Sequence, residues 1–119
     1  MVRAASLSDL TKVILQFRDA RNWQQFHNPK DMAISLSLET AEFLELMQWK
    51  NGDTLNEYLQ EQHQAVGDEL ADILYWVLLL GHDLDIDLEQ AFMRKMEVNE
   101  LKYPAEKYRD SSKKYNHPV

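Results

Sequence analysis

The chain has 119 residues, 45% hydrophobic and 28% charged, with a formal net charge of −7 and no cysteine. That length is enough for one domain with a real core, residues 1–119, and too short for two. Without cysteine there is no disulfide, no thiolate zinc site and no sulfur redox chemistry, so carboxylate and imidazole are the remaining metal ligands. The acidic balance argues against a sequence-independent grip on nucleic acid. No apolar run is long enough to span a bilayer, and the opening "MVRAASLSDL" lacks the apolar stretch of a signal peptide. A cytoplasmic protein with no nucleic-acid or membrane partner is expected. The basic residues crowd one end, at Arg94, Lys95, Lys102, Lys107, Arg109, Lys113 and Lys114.

In chain order, Leu7, Leu10, Val13, Ile14 and Phe17 recur at helical spacing and predict a first helix over residues 7–25, with Ser6 or Ser8 as N-cap. Asn28-Pro29 marks a turn, after which Pro29 or Asp31 starts a second helix that runs to about Lys50. Gly52 in Asn51-Gly52-Asp53 can take the left-handed conformation that closes helices. Residues 54–64 are polar except for Leu55, Tyr58 and Leu59, which suits either a short helix or a packed connection. A long apolar third helix is expected over 62–82, broken by Gly81 and the run Asp83 to Asp87. Asp87, with Gln90 three residues on, caps a fourth helix ending near Lys102, and Pro104 stops it. Residues 105–119 have no apolar period and read as a polar tail, extended or partly disordered. No stretch alternates as a strand would. The fold class expected is all-α, a four-helix bundle.

Two carboxylate pairs stand in the apolar parts of this pattern: Glu39 and Glu42 in "LETAEFLELMQW", Glu69 and Asp72 in "DELADILYW". Each is spaced i, i+3, which stacks both side chains on one helix face. Carboxylates in an apolar layer are costly unless paired or bound to a cation, and bundles build metal sites from facing helices. No glutamate is followed three residues later by histidine, which argues against a di-iron site. Zinc prefers nitrogen and sulfur, whereas an all-oxygen set matches Mg²⁺ or Mn²⁺, ions that usually serve phosphate chemistry. No Gly-rich phosphate loop is present, so the metal would have to hold the phosphates. At 100° per residue Trp49 points about the same way as Glu39 and Glu42, and Trp76 about the same way as Glu69 and Asp72; aromatic walls beside a metal site suit a nucleobase. Trp76 is equally suited to the core, and His27 to completing a helix end. Glu39, or Glu42 where it is not committed to metal, is the candidate general base.

The order "RNWQQFHNPK", "LSLETAEFLELMQWK", "DELADILYWVLLL", "RKMEVNELKYP" resembles the MazG-like nucleotide pyrophosphohydrolases, in the branch similar to dCTP pyrophosphatase, from about Leu10 to Tyr108. The resemblance implies an all-α bundle that hydrolyses nucleoside triphosphates, such as dCTP-like pyrimidine nucleotides, to the monophosphate and pyrophosphate with Mg²⁺. It places Glu39, Glu42, Glu69 and Asp72 as metal ligands and Trp23, Phe26, His27 and Trp49 around the base. Lys95 and Asn99 also line the site, with Lys102 and Tyr103 close by, and the chains assemble as homodimers or dimers of dimers. Two positions depart from that branch: Trp76 stands where a tyrosine is expected, with Tyr75 beside it, and Ile14 where a histidine is expected. Both touch the base or sugar pocket and weaken a strict dCTP preference, so a dUTP or modified-nucleotide substrate is an alternative. A non-enzymatic helical oligomer with a solvated carboxylate stripe is another.

Overall fold

The computed structural model describes residues 4–113, so of the expected polar tail residues 114–119 lie outside the described residues. All the regular structure among the described residues is helical: α1 (Leu7–Ala20), a 3-10 turn (Gln24–Phe26), α2 (Pro29–Met47), α3 (Gly52–Glu61), α4 (His63–Asp83), α5 (Leu88–Lys102) and α6 (Ala105–Tyr108). They fall into two compact units, divided between Ile86 and Asp87.

In the first unit each helix boundary has a local cause. Ser6 and Asp9 close a capping box at the start of α1, each side chain accepting from the other's backbone N–H at 3.1 Å. Asn22 takes a left-handed φ of 52° and ends that helix earlier than its apolar period implied, leaving Gln24–Phe26 as a single tight turn. Asn28 Oδ1 accepts from the Asp31 N–H at 2.9 Å, and Pro29 sits where a missing N–H costs nothing. Helix α2 stops at Met47, and Lys50 Nζ donates to the free Leu46 carbonyl at 3.1 Å. Gly52 does adopt the left-handed region, at φ 56°, but it opens α3 rather than closing α2. The ambiguous segment is therefore a helix, with Tyr58 taking the Lys50 ammonium 4.1 Å over its ring.

Helix α4 passes through Gly81, which is buried, and ends at Asp83; the reversal comes from Asp85 at φ 55°, with the Ile86 N–H donating to the Gly81 carbonyl at 2.8 Å. This helix is the common partner of the unit, packed by α1, α2 and α3. Its Leu78 and Leu79 are buried, as are Ile14 of α1 and Met32 of α2. The packing of α2 on α4 is what brings the two acidic pairs face to face.

In the second unit Asp87 caps α5 by accepting from the Gln90 N–H at 3.1 Å, as its spacing implied. Past Pro104 the chain turns once more as α6 instead of extending, and the Tyr108 ring meets Tyr103 edge-on at 5.1 Å.

Candidate metal and nucleotide site

Glu39, Glu69 and Asp72 each present a carboxylate oxygen, and the three oxygens lie within 4.8 Å of one another. Glu39 comes from the middle of α2, and Glu69 and Asp72 from successive turns of α4, so the i, i+3 spacing on α4 and the packing of the two helices together make the cluster. Glu42, one turn on from Glu39, is more exposed and approaches both Glu39 and Glu69 closely enough to perturb them.

The electrostatics are those of crowded anions. Burial, then the hydrogen-bonding contact and charge of Glu42, then the charges of Asp72 and Glu69, push the Glu39 carboxyl up from 4.5 to about 7. Burial followed by the charges of Glu42 and Asp72 raises Glu69 as well. Oε2 of Glu39 and Oε2 of Glu69 are both buried without a hydrogen-bond partner. Buried acceptors are almost always satisfied, so orphaned oxygens on two carboxylates of this one cluster fit a cation supplied from outside the chain. The all-oxygen donor set fits a hard divalent ion of the Mg²⁺ or Mn²⁺ kind.

A cavity of about 450 Å³ opens beside this cluster, and Glu39 and Asp72 form part of its wall. Four rings supply most of the rest: Phe17 of α1, Trp23, and Tyr75 and Trp76 of α4, with Val13 and Ile14 filling in. The rings brace one another edge to face, Phe17 against Trp23 at 5.6 Å, Phe17 against Tyr75 at 6.3 Å and Tyr75 against Trp76 at 5.0 Å. The Arg21 guanidinium sits 3.8 Å over the outer face of Phe17. Burial raises the Tyr75 phenol, which therefore stays protonated at neutral pH.

The remaining expected site residues are placed as follows. His27 stands behind the wall, its ring 5.5 Å from Trp76 and edge-on to it. Phe26 is exposed on the 3-10 turn, and Trp49 lies past the end of α2, 85% exposed. Neither is among the residues that line the cavity. Lys95, Asn99 and Lys102 all belong to α5 in the second unit, where Asn99 Nδ2 contacts Met96 Sδ at 3.8 Å and Lys102 lines a separate hollow with Lys107 and Tyr108. Spacing did not single out Phe17, Tyr75 or Val13 as walls, because each fits a core position equally well.

Residues 34–117, well over half of the chain, match the MazG-like family. The chain is 34% identical to dCTP pyrophosphatase 1 of Homo sapiens over 112 residues and 34% identical to that of Mus musculus over 113, covering 92% of this chain in each case. It spans only 66% of the length of those curated relatives. Among solved structures it is similar to a pyrophosphatase from Archaeoglobus fulgidus DSM 4304, with a TM-score of 0.79 and 37% identity over 87% of this chain and 97% of that one. With two facing acidic helices, an all-helical frame and this extent of match, the chain belongs to the MazG-like family.

Proposed function

We propose that the protein is a divalent-cation-dependent hydrolase of nucleoside triphosphates that releases pyrophosphate, acting on a dCTP-like pyrimidine nucleotide. The carrying observation is the junction of three converging carboxylates, two of them with orphaned buried oxygens, and an aromatic cavity that shares Glu39 and Asp72 with them. The dCTP pyrophosphatases among its relatives support the choice of base.

Glu39, Glu42, Glu69 and Asp72 would hold Mg²⁺ or Mn²⁺. Such an ion, when bound, supplies positive charge to phosphate oxygens and acidifies a coordinated water. Trp23 and Trp76 offer stacking faces for the base, and the edge-to-face bracing keeps those faces fixed before a ligand arrives. Glu39, or Glu42 where it is not committed to the ion, would accept the proton of the attacking water through a carboxylate oxygen that the ion leaves free. The family resemblance adds Phe26, His27 and Trp49 around the base and Lys95 and Asn99 as site-lining residues, with Lys102 close by.

A homo-oligomer, dimer or tetramer, is part of the same proposal. Ile34, Leu38 and Leu44 of α2 and Leu70 and Leu74 of α4 are all exposed, more apolar surface than two packed helices ordinarily leave in water. No helix among the described residues is long and apolar enough to cross a membrane, which is compatible with a cytoplasmic site of action.

A panel of ribo- and deoxynucleoside triphosphates with Mg²⁺, read by pyrophosphate release, tests the function. Turnover is expected with pyrimidine deoxynucleotides first and with none in EDTA; no turnover on any nucleotide would leave a non-enzymatic helical protein.

A further inference from the structure

Arg18 is a cation 1% exposed, buried where α1 meets the end of α4. Its fork donates to Asp83, Nη1 to Oδ2 at 2.7 Å and Nη2 to Oδ1 at 3.0 Å. Asp83 Oδ1 also lies 3.0 Å from His82 Nδ1. The Arg18 carbonyl accepts from the N–H of Trp23 at 3.1 Å, so the residue that carries the fork also sets the turn that carries a cavity wall. On its other side Nη1 faces His27 Nδ1 at 3.5 Å, and His27 in turn meets Trp76.

A guanidinium has protons and no acceptor. A proton on His27 Nδ1 would set one N–H against another, so the imidazole proton belongs on Nε2. Burial first, and the Arg18 charge second, also disfavour the doubly protonated ring. A staple between α1 and α4 would need only the Arg18–Asp83 fork; the imidazole placed between the fork and Trp76 gives it a second task.

We propose that Arg18, anchored by Asp83, is a positioning residue of the nucleotide pocket: it fixes His27 as the Nε2–H tautomer and, through the ring contact of His27 with Trp76, holds that cavity wall in place from behind. The ligand's identity rests on the proposed function, whereas the tautomer is a property of the ligand-free protein and is tested without turnover.

Long-range ¹H–¹⁵N spectra of the labelled protein above the titration of its histidines read the tautomer directly, with His27 assigned by the signals lost in His27→Gln. The wild type is expected to show an unprotonated Nδ1 and a protonated Nε2, unaveraged. The double variant Arg18→Met with Asp83→Asn leaves no unpaired buried charge and should fold. Its His27 nitrogens should move toward the averaged values of exchanging tautomers, and KM should rise about tenfold with a smaller change in kcat. A merely structural pair would lower the melting temperature and leave the His27 nitrogens where they were, which overturns the proposal. An Nδ1–H tautomer in the wild type overturns it too, and that spectrum decides alone if the double variant does not fold. If the tautomer is as expected and no nucleotide is turned over, the placement of His27 stands and the proposed function falls.

Discussion

Replacing Glu39 by glutamine should stabilise the metal-free protein at pH 8 and abolish its response to magnesium. Two unit charges 4.8 Å apart repel by about 3.5 kcal/mol at an effective dielectric of about 20 and by ~0.9 kcal/mol in bulk water. Raising a carboxyl from 4.5 to about 7 corresponds to at most ~3 kcal/mol. Solvent at a half-buried site screens both figures, so a net gain of about 1–2 kcal/mol is expected. For a chain of this size that lifts the melting temperature by roughly 5–10 °C. The assay is a thermal melt in EDTA at pH 8 and again at pH 5. At pH 5 the wild-type carboxyl already carries its proton in the folded state, so the advantage of glutamine should vanish. With Mg²⁺ and nucleotide the order reverses, since only the wild type binds and is stabilised by mass action. A variant that melts lower than wild type at pH 8, or gains as much at pH 5, would refute the placement of Glu39 among crowded anions.

Metal-free wild type should itself lose stability between about pH 4.5 and 7: the Glu39 carboxyl is raised in the folded state, so its favourable contribution is full below its unfolded value of 4.5 and disappears as pH rises through about 7. Asp83, lowered chiefly by the Arg18 hydrogen bond, acts in the opposite sense: its contribution is full above its unfolded value of 3.8 and is lost as pH falls through its folded value. Urea titrations in EDTA across this range should therefore peak near pH 4–5; a curve rising steadily to pH 8 would contradict the Glu39 assignment, and one with no loss on the acid side would contradict that of Asp83. Trp76→Ala should raise KM by about tenfold or more, the worth of one stacked base, and Trp49→Ala should raise it for every nucleotide; an unchanged KM would remove the residue concerned from the binding set. Run in ¹⁸O-water, turnover should label the nucleoside monophosphate, because a base seated in the cavity beside Glu39 and Asp72 sets the α-phosphorus nearest the carboxylates. Label in pyrophosphate would mean attack farther along the chain.

How far each part could be read from the sequence follows from how local its cause is. The acidic pairs were legible because i, i+3 spacing on one helix is a local fact, and an apolar surround is visible in the same window. The caps at Ser6, one of two serines the sequence offered, and at Asp87 were legible for the same reason, each acting over three residues, whereas Asn28 read only as part of a turn. The Arg18–Asp83 pair was not, since it joins residues 65 apart and nothing near either marks a buried charge. Trp49 is a harder case. Its direction was counted from Glu39 on a helix running to about Lys50; α2 ends at Met47, Gln48 keeps helical angles of φ −51° and ψ −42°, and Trp49 is 85% exposed and not among the residues lining the cavity. Trp76 lies well inside α4, where the same count holds, and it does stand on the wall that Asp72 shares. An angular projection gives a direction but not a depth: Trp76 is held inside by the helices packed on α4, whereas Trp49 stands at the end of α2 beside Lys50, whose ammonium reaches back to the Leu46 carbonyl at 3.1 Å, and how far each ring is covered depends on packing that the apolar period does not contain.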